Sequence, residues 1–217
     1  MSEIYQVAID GPSGAGKSTI AKAVARELGI DYIDTGAMYR AIGYKVKLQG
    51  VDPSDMAAVQ DMLADTQIDL RQGEVFLDGE NVSSQIRTPE MSMMASVCSQ
   101  IPAVREKLVQ LQREMGTRKS VIMDGRDIGT NVLKDAIFKI YLTASAEERA
   151  RRRFLELQEK GEDQSFEDVL ADIKQRDHND MTRELNPLRK AEDAIELDST
   201  GLDIDQVVQK VLEIVRG

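Results

Sequence analysis

The sequence predicts an α/β fold: a central parallel sheet flanked by helices, interrupted by a small inserted subdomain. Three features carry that prediction. The apolar run "IYQVAI" (4–9) ends at a glycine-rich turn and is followed by apolar residues at helical spacing. The strand-then-helix alternation returns near residues 31, 120, 136 and 194, the pattern of parallel strands joined by crossover helices. Between these segments, alternating apolar residues on both sides of Gln72-Gly73 break the rhythm with a hairpin signal.

Each element has its own signal. "IYQVAI" is short, apolar and bounded by Asp10-Gly11, which marks a buried strand. Ile20, Ala21, Val24, Ala25 and Leu28 then line one helix face, and Gly29 supplies the stop. "DYID" (31–34) predicts a second strand, followed by a helix from Met38 to Gln49 that ends at Gly50. "SDMAAVQDMLAD" (54–65) predicts a short amphipathic helix before the 68–82 hairpin. Thr88-Pro89 and Ile101-Pro102 place proline at the first position of two further helices. "SVIMDG" (120–125) and "AIFKIYL" (136–142) are expected to be buried strands. Ser145 and Glu148 match a capping box for the helix "AEERARRRFLELQEK". Ser165 opens the helix "FEDVLADIKQRDHNDMTR". The strand "AIELD" (194–198) precedes a last helix carrying Val207, Val208, Val211, Leu212 and Val215 on one face.

Composition narrows the class. A chain of 217 residues suits one large domain with insertions, and 41% hydrophobic residues suffice for a core. Aromatics make up only 4% and Trp is absent, so aliphatic residues and Met must fill that core. The formal charge of −10 argues against nucleic acid polymers and anionic membrane surfaces as partners. A local arginine cluster can still reverse the sign within one cleft. The single cysteine, Cys98, cannot close an intrachain disulfide, which fits a reducing compartment, and it is expected to pack rather than react. "MSEIYQVAID" lacks the marks of a signal peptide, and no run approaches the roughly 18 apolar residues of a membrane helix. A soluble, cytoplasmic, monomeric protein is expected.

The chemistry begins at Gly11-Pro12-Ser13-Gly14-Ala15-Gly16-Lys17-Ser18, which satisfies G-x-x-x-x-G-K-[ST] and runs on into Thr19. Glycines let backbone N–H groups curl inward around a phosphate, and the following helix adds the positive end of its dipole. Lys17 is expected to reach the β- and γ-phosphates of a triphosphate, and the Ser18 hydroxyl to ligate Mg²⁺. Such a loop does not by itself separate a switch, a motor and a kinase. No Asn is followed by Lys, so the guanine motif of a GTPase is missing. Asp124 ends an apolar strand as a motor's carboxylate would, but Gly125 follows it instead of a second acid.

Other arginines suggest a second anionic ligand. "DTGAMYR" sets Thr35 at a strand end and Arg40 one turn into a helix, and "DGRD" sets Arg126 and Asp127 directly after a strand. Ligands of open parallel sheets bind at the carboxyl ends of the strands. Arg176, Asp180 and Arg183 fall at i, i+4 and i+7 and so share one helix face, a spacing that by itself favours a solvated charged face with internal pairs such as Asp172–Arg176. Arg149, Arg152 and Arg153 share another face, which serves either a polyanion or solvent.

Taken together, "IDGPSGAGKST", "DTGAMYR", "IRTPEM", "DGRDIGT" and the R-D-x-x-D-x-x-R run at 176–183 resemble the bacterial cytidylate kinases over essentially the whole chain. The resemblance implies a P-loop nucleoside monophosphate kinase fold in a single domain, 1–217. Its core would comprise about 1–50, 101–148 and 184–217, with an NMP-binding insertion at about 51–100 holding a small β hairpin or sheet. A helical lid would span about 149–183. The implied reaction is ATP plus CMP or dCMP, giving ADP and CDP or dCDP. Thr35, Ser96, Arg105 and Asp127 would then recognise cytosine, and Arg40, Arg126 and Arg183 the CMP phosphate. Arg176 and Asp180 would hold the ribose, and Arg149, Arg152 and Arg153 would belong to a lid, with Arg152 and Arg153 over ATP. Lys17, Arg126 and Arg183 would be the catalytic cations. The acceptor phosphate, with a second pKa near 6, is mostly ionised at neutral pH and needs no general base. The one histidine, His178, is accordingly read as a surface residue. A kinase for another small acceptor (UMP, AMP or shikimate) and a nucleotide-dependent switch are the alternatives.

Overall fold

The computed structural model describes residues 4–71, 73–159 and 161–217. Gln72 of the hairpin turn, Lys160 at the end of one expected helix and the first three residues lie outside the described residues. In chain order the first elements are β1 (Gln6–Asp10), α1 (Lys17–Leu28), β2 (Asp31–Asp34) and α2 (Thr35–Gln49). Next come α3 (Met56–Ala64), β3 (Ile68–Arg71), β4 (Glu74–Leu77), β5 (Glu80–Asn81), α4 (Pro89–Cys98) and α5 (Pro102–Arg118). The chain continues through β6 (Val121–Gly125), a π-helical turn (Ile128–Val132) and β7 (Phe138–Thr143). It ends with α6 (Ala146–Glu159), α7 (Phe166–Thr182), β8 (Ile195–Asp198) and α8 (Ile204–Arg216).

The chain divides into two compact units. One runs to Tyr32 and resumes from Lys119 to Gly217, and the other is Ile33–Arg118. The second unit extends beyond 51–100 at both ends, because α2 packs on α4, α5 and β4, and α3 packs on α5.

The first unit is built on the sheet ordered β2-β6-β1-β7-β8, which β2 enters through Asp31 and Tyr32. β1 lies at its centre and pairs in parallel with β6 on one side and β7 on the other, with Asp10 level with Gly125. Strands buried on both faces must be apolar throughout, and Val7, Ala8, Ile9, Val121, Ile122 and Met123 are buried. Val7, Ile9, Ile122, Ile140 and Leu142 meet the apolar stripes of α1 and α8 in one cluster. Two caps fix the ends of these helices. Gly29 closes α1 in the left-handed conformation at φ 65°, and Asp203 with Gln206 forms a complete capping box on α8. The box expected at Ser145 is only half formed. Ser145 Oγ accepts from Glu148 N–H, but Ser145 N–H goes to Thr200 and the Glu148 carboxylate to Arg152.

The second unit joins a three-stranded antiparallel sheet, β3-β4-β5, to four helices. Two helix starts follow their sequence signals: Thr88 caps α4 ahead of Pro89, and Pro102 opens α5. α2 starts at Thr35, earlier than its apolar periodicity indicated, because the Asp34 carboxylate accepts from Ala37 N–H. α2 and α4 approach so closely at Gly43 that a Cβ there would lie 2.7 Å from the Cβ of Met94.

Candidate active site

Residues 11–16 leave the carboxyl end of β1 and turn into α1, where backbone takes the place of side chains. Gly11 has φ +152°, and a Cβ on it would fall 1.9 Å from the carbonyl oxygen of Leu142 in β7. Gly14 has φ +76° and faces the stem of Arg149. Gly16, the residue before α1, offers no side-chain cap, and the first turn holds no acid. The leading N–H groups and the dipole of this 12-residue helix are therefore left for an anion. Lys17 is buried, and its ammonium donates to the Pro12 carbonyl at 2.7 Å. Burial, then repulsion by Arg126, lowers its pKa to about 7, with Asp124 and Asp180 opposing the shift.

Asp124, at the carboxyl end of β6, accepts from the Ser18 hydroxyl at 2.9 Å and from the Tyr32 hydroxyl at 2.7 Å. The strand-end acid that sequence could not place thus lies against the loop's hydroxyl. A serine hydroxyl beside a carboxylate suits Mg²⁺, which takes oxygen donors and fills its octahedron with waters and substrate phosphates.

The cationic cluster adjoins these residues. The Arg126 Nε donates to Asp180 at 2.6 Å, with both side chains largely buried. Burial alone would raise the Asp180 carboxyl, but the charge and hydrogen bond of Arg126 hold it below the usual range, helped by Arg176 and Arg183. Arg183 Nη2 donates to Asp127 at 3.1 Å and, with Nε, to the Asn186 carbonyl. The structure corrects one geometric expectation here: α7 ends at Thr182, and Arg183 turns to an extended ψ of 141°. Its position beside Asp127 comes from that turn and not from a shared helix face. His178 is exposed on α7, as expected.

The helical arginines differ from one another. Arg149 is buried: its guanidinium holds Asp177 of α7 through two bonds at 3.0 and 2.6 Å and also donates to the carbonyls of Ser13 and Ala144. It ties α6 to α7, to the residue that follows β7 and to the glycine loop. Arg152 donates to the Ser199 carbonyl at 3.0 Å, and its Nη1 lies 3.9 Å from where a Cβ on Gly16 would sit. Among the described residues, Arg153 reaches only Glu156, on its own helix.

In the second unit, Thr35 is buried at the start of α2, and Arg40 donates to Asp34 at 3.2 Å across Gly36. Among the described residues, the buried Nε of Arg40 finds no hydrogen-bond partner. Arg105 is buried beside the Tyr39 ring and donates to the Ser99 carbonyl. Ser96 is half-buried one turn earlier on α4. Cys98 is buried with its thiol pushed up to about 11, which suits packing.

Sequence reasoning missed Asp10, Tyr32 and Asp177, and left Asp124 without a role. Asp10 and Asp124 did carry a shared signal, since both close a buried strand immediately before a glycine. Tyr32 and Asp177 had none, because their partners lie far off in sequence.

The family model for cytidylate kinase matches residues 7–217. A cytidylate kinase of Caldicellulosiruptor bescii is 58% identical over 212 residues, covering 96% of this chain and 94% of that protein. One from Lactobacillus johnsonii is 51% identical, covering 100% and 96%. Among solved structures, shikimate kinase from Bacteroides thetaiotaomicron superposes with a TM-score of 0.52 at 15% identity, covering 99% of this chain and 100% of that one, a likeness of fold alone.

Proposed function

The chain belongs to the cytidylate kinase family, and we propose that its buried arginines and the glycine loop divide the labour of that family's reaction between acceptor and donor. The reaction is phosphoryl transfer from ATP to CMP, giving ADP and CDP. We assign the donor's phosphates to residues 11–19, with Lys17 at the β- and γ-phosphates and Arg152 and Arg153 approaching from a lid at about 149–183. Arg126 and Arg183, with Arg40, take the phosphate of CMP. Arg176 and Asp180 take its ribose, and Thr35, Ser96, Arg105 and Asp127 its base, with the segment 51–100 as the acceptor-binding insertion. The orphaned Nε of Arg40 supports this assignment, because a buried guanidinium N–H without an acceptor suits an incoming phosphate oxygen.

The observation that carries the division is that Arg126 is largely buried, held by Asp180, and close enough to Lys17 to depress its pKa. Two phosphate chains repel as they approach, so the chemistry is mainly electrostatic, and preorganised cations are its chief requirement. A phosphate acceptor needs no base, so an exposed His178 is no obstacle. Ser18 and Asp124 are the residues that would hold Mg²⁺, which when bound neutralises charge on the β- and γ-phosphates. Among the described residues no helix is long and apolar enough to cross a membrane. The reading includes a monomer that acts in the cytoplasm and accepts dCMP as well as CMP.

A coupled ADP-release assay over CMP, dCMP, UMP, AMP and shikimate tests the reading. CMP is expected to give the highest turnover. CMP turnover no faster than that with UMP or AMP would overturn it, and acceptor-independent hydrolysis would point to a switch.

A further inference from the structure

Asp10 has no part in the division of labour above, yet it is a buried carboxylate at the centre of the sheet. Its oxygens accept from the N–H groups of Ile128 and Gly129, one each, both at 2.7 Å. We propose that Asp10 is a positioning residue for phosphoryl transfer: by holding the two N–H groups that follow Asp127, its carboxylate fixes the corner carrying Arg126 and Asp127. The inference rests on the assignment of those two residues to the acceptor nucleotide.

Sheet pairing ends at this point. Asp10 is level with Gly125, so the residues after Gly125 have no strand beside them to hold their backbone. They form a π-helical turn over Ile128–Val132, a geometry seldom stable without local support. The residue before such a turn ordinarily caps it with its own side chain. Asp127 does not: its carboxylate accepts from Arg183 and from Asn131 Nδ2, with no cap bond to the turn. Asp10, on β1, satisfies the leading N–H groups, and the Asp127 carboxylate faces Arg183 and Asn131. The fit is close on every side. A Cβ on Gly129 would lie 3.4 Å from Asp10 Oδ2 and 3.2 Å from the Lys139 stem of β7.

The arrangement costs the fold something. Burial raises the Asp10 pKa to about 6, against the two N–H bonds that lower it; Asp127 raises it further and Lys17 opposes. Lys139 and Tyr141 of β7 are the other ionisable groups on this side, and the Lys139 ammonium is engaged by Asp193 and the Lys134 carbonyl. A neutral side chain here would relieve the burial cost while losing one acceptor, so function and stability should separate.

The test is Asp10→Asn in the full-length chain, followed by amide hydrogen exchange, CMP and ATP measurements and thermal melting at pH 7.5. The amide keeps the shape but has one acceptor oxygen for two N–H groups. Exchange in a peptide spanning 126–133 is expected to accelerate, and kcat/KM for CMP to fall at least about tenfold, since small misplacements of a substrate clamp are costly. ATP affinity should stay within about twofold and Tm should not fall, the split that distinguishes positioning from general support. The wild-type chain gives a second measurement: protection in 126–133, corrected for intrinsic exchange, should decline as pH drops below about 6. Unchanged exchange in the variant overturns the clamp, and faster exchange with CMP kinetics within about twofold of wild type overturns its positioning role. A parallel loss of Tm, ATP affinity and CMP turnover would make Asp10 a structural residue only. Absence of CMP activity in the wild-type chain would instead defeat the functional reading, while the exchange measurements still decide whether the clamp exists.

Discussion

The glycine loop and the arginine cluster, both proposed to bind phosphates, are built by opposite means. The loop relies on backbone: left-handed glycines, an uncapped helix start and a strand carbonyl so near Gly11 that no Cβ fits. The cluster relies on long side chains, each steadied by a carboxylate: Arg126 by Asp180, Arg183 by Asp127 and Arg149 by Asp177. A guanidinium left unpaired in a buried site is costly and loose, so the aspartates orient the arginines as well as neutralising them. Damage to the loop should therefore appear in folding and donor binding together. Damage to the cluster should appear in turnover.

The strongest way to break the comparison is Gly11→Ala. The Cβ would sit 1.9 Å from Leu142 O, so β1 or β7 must shift. Stability is expected to fall by more than about 3 kcal/mol, roughly 6–12 °C in Tm, with ATP binding lost as well. A melting curve and an ATP titration check both, and a variant that melts normally would remove the steric argument. Next in size, Arg126→Ala should lower kcat/KM for CMP at least about 100-fold while ATP affinity survives, as expected when a preorganised cation is removed. Near-normal turnover would place the working cations elsewhere. The smallest effect concerns Lys17, which belongs to both regions. Unfolded, it keeps its proton to about 10.5 and in the fold only to about 7, so its contribution to stability rises with pH across that window. A bound polyanion favours the charged form. ATP binding at pH 8 should therefore take up close to about one proton, seen as a buffer-dependent enthalpy in calorimetry, and the uptake should vanish below about pH 6 and in Lys17→Arg.

The two regions also differed in how far they could be read from sequence. The loop's signal is local: eight consecutive residues between an apolar strand and an amphipathic helix specify a turn that almost no other chemistry needs. Strands β1 and β6 were legible for a related reason, since burial on both faces leaves short apolar runs, and β7 keeps one around a single lysine. In the cluster, Arg126 and Asp127 were legible from their place after a strand, but Arg176, Asp180 and Arg183 only through the resemblance to a family, because their spacing alone allowed a solvated face. The turn that sends Arg183 to Asp127 depends on Asn186 at φ 48° and a bond from Leu188 N–H to Asp180 O, which no periodicity reveals. The π-helical turn was invisible too, because its support comes from Asp10, more than a hundred residues away.

By itself, then, the sequence determined the order of strands and helices, the phosphate-binding turn at 11–18 and, through its combined motifs, the family. These follow from period, glycine placement and short-range hydrogen bonding, all of which act within a few residues. Only the tertiary structure decided which carboxylate holds which arginine, that Asp124 rather than a second acid faces Ser18, and that Asp10 caps a turn on another strand. Those pairings join residues 28 to 119 positions apart, and what selects the longest of them is the parallel register that brings the carboxyl ends of β1 and β6 to the same level.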